Sequence, residues 1–269
     1  MDITRFKQII NYSSKNRDHI EAKVRDFYLY SKMNIDTELL NLMQIVRPLF
    51  RQKGYLIIEI PFADKEIGGL CYRGDVLGYT VLNSSLPKVN VRFALAHEIY
   101  HIFYQEKKYD VRVDLLNEHY YEYEEEFAAN LFAGMLLMPE KSFKYMYQKF
   151  KDEPQEENDK ISIIAKLMNY FQVPYMATLI RCYELELLED GEILKKLIQV
   201  DNNEIRNCFA KLWLDDDILN ATNKDDYCKL EELVKTIGER WLKEGYINER
   251  TLRKVLQNMK ILYSKIRGD

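Results

Sequence analysis

Five consecutive residues constrain this chain more than any others: His97-Glu98-Ile99-Tyr100-His101, an H-E-x-x-H run flanked by Phe93, Ala94, Ala96, Ile102 and Phe103. Residues four apart stack on one face of an α-helix, so two imidazoles at this spacing converge on a point that one metal ion can occupy. Glu98 follows His97 by about 100° of helical rotation, beside that point and not on it. The geometry suits hydrolysis. A metal there brings the pKa of water toward about 7 and polarises a carbonyl, while Glu98 takes the proton and returns it to the leaving amine. The intervening residues are uncharged and are neither Pro nor Gly, so nothing opposes a buried helical turn. The competing reading is two hydrogen-bonded core histidines with Glu98 facing solvent.

A catalytic zinc takes three protein ligands and leaves one position open. The extended motif with Gly at 104 and His at 107 is excluded, because the chain has Tyr104 and Lys107 there. A two-His, one-Glu set draws its glutamate from a following helix, where Glu122, Glu124, Glu125 and Glu126 crowd the first turn. Glu126 is favoured: Asn130 stands one turn further on the same face and can hold a ligating imidazole. Glu125 is a weaker candidate, and the acidic cluster as a whole also complements the helix N-terminal dipole. His119 and Tyr100 are weaker candidates still, His119 as third ligand or transition-state donor and Tyr100 as an oxyanion helper. The expected cofactor is about one zinc per chain, with manganese or iron also compatible with the ligand types.

The motif falls between a short sheet and a second helix. The apolar run Leu39, Leu40, Leu42, Met43, Ile45, Val46, Leu49 and Phe50 keeps a helical period between Asp36, a capping residue, and Gly54, with Pro48 inside it. Tyr55 to Ile60, Gly69 to Tyr72 and Tyr79 to Leu82 read as three strands, the last two joined by a turn at Arg73, Gly74 and Asp75. The motif helix is expected to start at Asn90 as cap, and the next to run from about Glu122 to Leu137, where Pro139 stops it. Residues 1–34 form a helical extension, and 1–150 the metallopeptidase domain. Residues 151–160, KDEPQEENDK, read as a linker, and 161–269 as an all-helical C-terminal half with breaks at 215–217 and 220–226. Leu212, Trp213, Ile218 and Trp241 there belong to helical apolar stripes. The fold class is α+β and mostly helical.

Twenty tyrosines and twelve phenylalanines against ten glycines and six prolines agree with a helical body holding a sizeable core. A net charge of -4 without a basic tract gives no footprint for nucleic acid. Residues 161–185 hold two helical runs about Gln172-Val173-Pro174, but without a turn glycine or a basic second helix they fit packing better than DNA reading. No apolar run reaches about 18 residues, and Cys71, Cys182, Cys208 and Cys228 lie far apart with no C-x-x-C pair. A cytoplasmic protein with structural thiols is expected.

Arg92-Phe93-x-x-Ala96-His97-Glu98-x-x-His101, followed by Glu126-x-x-Ala129-Asn130-x-Phe132-Ala133-x-x-Leu136-Leu137-Met138-Pro139, resembles the ImmA/IrrE metallopeptidases over roughly residues 40 to 190, with Val173-Pro174 and Arg181 included. The resemblance implies a zincin-like core with the small sheet on the active-site helix. It implies His97, His101 and Glu126 as ligands and Glu98 as acid and base. It also implies a substrate class, helix-turn-helix repressors, often on mobile elements, which would make the chain an anti-repressor acting in transcription regulation. Tyr100 departs from the pattern, where a small residue is common, and residues 190–269 have no counterpart in it. The alternative is a transcription regulator that binds DNA or a partner protein and keeps its metal site structural or idle.

Overall fold

The computed structural model describes residues 1–35, 37–73, 78–105, 120–153, 160–189 and 191–268. Helix α1 (Ile3–Tyr30) begins where the Asp2 carboxylate accepts the Arg5 amide at 2.7 Å, satisfying one of the donors a helix start leaves open. Its buried stripe is Phe6, Ser13, Ile20, Val24, Phe27 and Tyr28. Helix α2 (Leu42–Gln52) buries Leu42, Val46 and Phe50 at intervals of four, contains Pro48, and ends before Gly54 at φ 80°. The helix starts at Leu42 and not at the expected Leu39. The Leu39 carbonyl accepts from the Arg92 guanidinium at 2.7 Å instead of a helical amide. Asp36, the expected cap, lies outside the described residues.

Three strands follow as expected: β1 (Tyr55–Ile60), β2 (Gly69–Arg73) and β3 (Gly78–Asn83). Their order is β1-β3-β2, with β1 parallel and β2 antiparallel to the central β3. The turn at Gly74 and Asp75 lies outside the described residues. Helix α3 (Lys88–Tyr104) carries the motif and starts two residues before the expected Asn90. Pro87, its φ already fixed near the helical value, precedes the helix, and its carbonyl takes the Asn90 amide at 2.9 Å. Helix α3 is buried on several faces at once, from Val89 to Ile102, because the sheet lies on one side and helix α4 (Tyr120–Leu137) on another.

Helices α5 (Glu140–Asp152), α6 (Lys160–Phe171), α7 (Tyr175–Glu184), α8 (Glu192–Gln199) and α9 (Asn202–Lys211) continue the chain, with a 3-10 turn at Asp216–Leu219. One hydrophobic core runs without a break from Phe6 through α3 and α4 to Phe209 and Leu219. Arg181 on α7 is buried and donates to the Met138 carbonyl at 3.2 Å while pairing with Glu184 at 3.0 Å. It thereby serves a carbonyl that α4 leaves unpaired where Pro139 stops it. The fold is α+β and mostly helical, as its sequence implies.

Residues 220–226 form a strap. Lys88 donates to the Asn220 carbonyl at 3.0 Å, Asn223 to Ser84 at 2.9 Å and Asp226 to Glu59 at 2.8 Å. The strap delivers helices α10 (Tyr227–Lys243) and α11 (Glu249–Arg267) to the face of the sheet opposite α3. There Leu230, Tyr263 and Ile266 cover Ile58, Ile60, Phe62 and Val81. The two helices cross so closely at Gly238 that a β-carbon there would stand 2.2 Å from Leu252 Cδ1. Of the apolar residues singled out in this region, Ile218 is buried, whereas Trp213 and Trp241 are 94% and 46% exposed and do not join the core.

Asp226 is the pivot of the strap. Burial pushes its pKa up, but the Glu59 amide at 3.1 Å and the Lys224 ammonium at 3.2 Å outweigh that and hold it below the usual carboxylate range. A carboxylate depressed by folding stabilises the fold above its unfolded pKa of about 4, and that contribution is lost as pH falls through the depressed value. Asp226→Asn is therefore expected to raise hydrogen exchange across 227–267 at pH 7, with the gap to wild type narrowing once pH drops below about 4. Equal protection of the two proteins at pH 7 would contradict this role.

Candidate metal centre

Helices α3 and α4 pack antiparallel through small residues. Ala96 on one side and Ala129 and Ala133 on the other are fully buried, and their lack of bulk allows the close approach. His97 consequently meets Asn130, His101 meets Glu126, and Gln105, just past α3, meets Glu125. The three expected ligands converge. His97 Nε2 and His101 Nε2 are 2.9 Å apart, His97 Nε2 is 3.2 Å from Glu126 Oε2, and His101 Nε2 is 3.5 Å from Glu126 Oε1. Tetrahedral bonds of about 2.0 to 2.1 Å put ligand atoms about 3.3 to 3.4 Å apart. The triangle thus fits a tetrahedral ion, and it is the only such His/Cys/Asp/Glu group of three among the described residues.

The outer nitrogens of both rings are held. His97 Nδ1 lies 3.0 Å from Asn130 Oδ1 and His101 Nδ1 lies 2.8 Å from Gln105 Oε1. An amide oxygen can only accept, so each Nδ1 carries the proton and each Nε2 keeps its lone pair for a cation. Gln105 passes the chain on, its amide nitrogen donating to Glu125 Oε2 at 2.6 Å. Glu125 therefore acts on His101 through Gln105. The motif pattern omits Gln105, yet it stands four residues after His101, where an α-helix places side chains on one face.

Glu98 is buried, and its Oε2 has no hydrogen-bond partner among the described residues. Burial raises its pKa, partly countered by His97 and His101. In His97 the desolvation that lowers the pKa is outweighed by Glu126, and the net direction is upward. Glu126 moves down, His97 and His101 outweighing its own burial. A buried carboxyl with an orphaned oxygen beside three convergent donors is what a bound cation would satisfy. These residues fit a divalent metal.

The triangle opens on a cavity of about 390 Å³ lined by Lys65 to Gly69, Asn90, Phe93, His97, Glu98, Glu126, Asn130 and Pro174 among others. Gly69, first residue of the edge strand β2, comes so close that a β-carbon on it would lie 3.5 Å from Glu98 Oε1. Tyr100 is placed elsewhere. It is buried, its hydroxyl accepts from Lys23 on α1 at 3.0 Å, and it does not line this cavity. His119 lies outside the described residues.

A small sheet on a helix that carries two imidazoles, faced by a glutamate on an antiparallel helix, defines a candidate metal centre within an α+β chain. Residues 50–183 match the family described as IrrE N-terminal-like domain, a peptidase family. The chain belongs to the ImmA/IrrE family, a group of metallopeptidase-type regulators. No curated protein matches it. Among solved structures it is distantly similar to a Mycobacterium tuberculosis transcriptional regulator, at 16% identity and a TM-score of 0.44, covering 65% of this chain and 51% of that one. The chain therefore spans about half the length of that structure.

Gln105→Ala is expected to weaken zinc affinity about 10- to 100-fold by freeing the His101 ring, as measured by competition with a chromophoric chelator. A change smaller than about twofold would remove Gln105 from the site.

Proposed function

We propose that this protein is a zinc peptidase of regulatory purpose that cleaves a helix-turn-helix repressor. The observation that carries the reading is the His97, His101 and Glu126 triangle with both Nδ1 atoms engaged, set against the unpaired buried oxygen of Glu98. A bound zinc would supply an acidified water and polarise the scissile carbonyl. Glu98, buried and with its pKa raised, is suited to take the water's proton and deliver it to the leaving amine. Asn130 and Gln105 hold the two rings in the tautomer that leaves Nε2 available. Among the described residues strand β2 pairs with β3 on one side only, so an extended peptide can add along its other edge and pass Gly69 toward Glu98.

The repressor as substrate is supported by the family to which the chain belongs. A DNA-binding role for residues 161–185 finds less support. In α7, the helix that would read bases, Tyr175, Thr178, Leu179, Arg181, Cys182 and Tyr183 are buried. No helix among the described residues is long and apolar enough to cross a membrane. A reducing, cytoplasmic setting belongs to the same reading, on the wide separation of Cys71, Cys182, Cys208 and Cys228 in the sequence.

The test is incubation with a repressor encoded beside this chain, with and without a chelator, and mapping of the cut. Glu98→Gln is expected to keep about one zinc per chain and to lose about 10²- to 10⁴-fold in cleavage rate. Full cleavage by Glu98→Gln, or by wild type stripped of metal, would overturn the reading.

A further inference from the structure

A second pocket, of about 220 Å³, adjoins the metal cavity, Phe93, Asn130 and Pro174 lining both. Its own walls are apolar: Ile9 and Tyr12 from α1, Phe127 and Leu131 from α4, Met176 and Ile180 from α7. Position follows from helix geometry. Because α3 and α4 run antiparallel, Phe93 lies one turn before His97 and Leu131 and Gly134 lie beyond Asn130, so the pocket sits about one turn, some 5.4 Å, from the ligand triangle. That is within reach of a side chain whose backbone lies across the metal.

The polar groups at its border are already engaged or buried. Asn130 faces His97 at 3.0 Å, Glu184 is paired with Arg181 at 3.0 Å, and Ser13 is buried. Tyr12 and Phe127 pack with ring centroids 5.4 Å apart, giving one wall an aromatic surface. The size is decisive for the occupant. A cavity of about 150 Å³ lined by apolar side chains takes up benzene, so about 220 Å³ admits a leucine, methionine or phenylalanine side chain. Gly134 keeps one side clear. A β-carbon there would meet only Met138 Cε, at 3.9 Å.

We infer that this pocket is the site that receives a large apolar side chain of the substrate next to the bond that is cut. The inference rests on the peptidase reading and adds to it the residue type selected. Two of the walls come from α1, which precedes the family-matched segment 50–183, so the selection is built in part by a piece of chain outside that segment. Peptides with Ala or a charged residue at that position leave the apolar walls wet or bury a charge without a partner, and are disfavoured.

The test uses succinyl hydroxamates bearing a methyl, isobutyl or benzyl group, titrated by calorimetry into the zinc-loaded full chain. The isobutyl or benzyl compound is expected to bind about tenfold or more tightly than the methyl compound. Gly134→Leu, which fills the pocket from α4 and replaces a helix-weakening glycine, should erase the preference while zinc content stays the same. Ile9→Trp fills it from α1 and guards against a folding defect confined to α4. Equal binding of the three compounds, no binding of any, or an unchanged preference in both variants would overturn the pocket. The two readings fail separately. A preference that vanishes in the variants, with no repressor cut, keeps the pocket and removes the peptidase. A chelator-sensitive cut with three equal affinities does the reverse.

Discussion

The antiparallel contact between α3 and α4 is the constraint on which the rest depends. Two helices can approach closely only where side chains are small, and Ala96, Ala129 and Ala133 provide that seam. Once the backbones are close, residues at intervals of four on one helix face residues at intervals of four on the other. The pairs His97 with Asn130 and His101 with Glu126 are then consequences of register. Bulk at the seam would separate the ligands before it altered any of them. Phe132, fully buried among Phe27, Tyr100 and Tyr104, supports the same register from behind.

Much of this was legible in the sequence because the information is local. Helical spacing alone brings His97 and His101 together. Asn130 one turn beyond Glu126 singles that glutamate out of four, and the three strands stand out as short apolar runs between turn residues. The start of α3 differs from the expected one because Asn90 is a good cap by residue type, whereas Pro87 takes the cap position three residues sooner. Gln105 carries no motif signal, since one amide after a helix looks like any polar surface residue until a histidine is seen against it. Tyr100 looked available for catalysis, but Lys23, 77 positions away, takes its hydroxyl. The pairing of α1 with the cleft and of 227–267 with the sheet are likewise contacts between distant segments, which no periodicity encodes.

Charge and burial divide the work at the centre. Glu126 faces the cleft and is held ionised by the histidines, whereas Glu98 sits one position after His97 in a dry environment that favours its neutral form. Two carboxyls in one cavity are thereby driven in opposite directions, which suits the proposed division between holding a cation and exchanging a proton. The difference arises from which side of α3 each meets: Glu126 reaches across from α4, while Glu98 lies under the edge of β2 at Gly69.

The strap at 220–226 has a bearing on the lifetime of the protein. Were it to let go, Ile58, Ile60, Phe62 and Val81 would form a bare apolar sheet face next to a strand that has no partner on its outer edge among the described residues. Such a surface templates self-association. A chain nicked within the strap would keep its ligands in sequence and still be drawn into aggregates or cleared, so the hairpin that touches none of the three ligands governs how long the centre persists in solution.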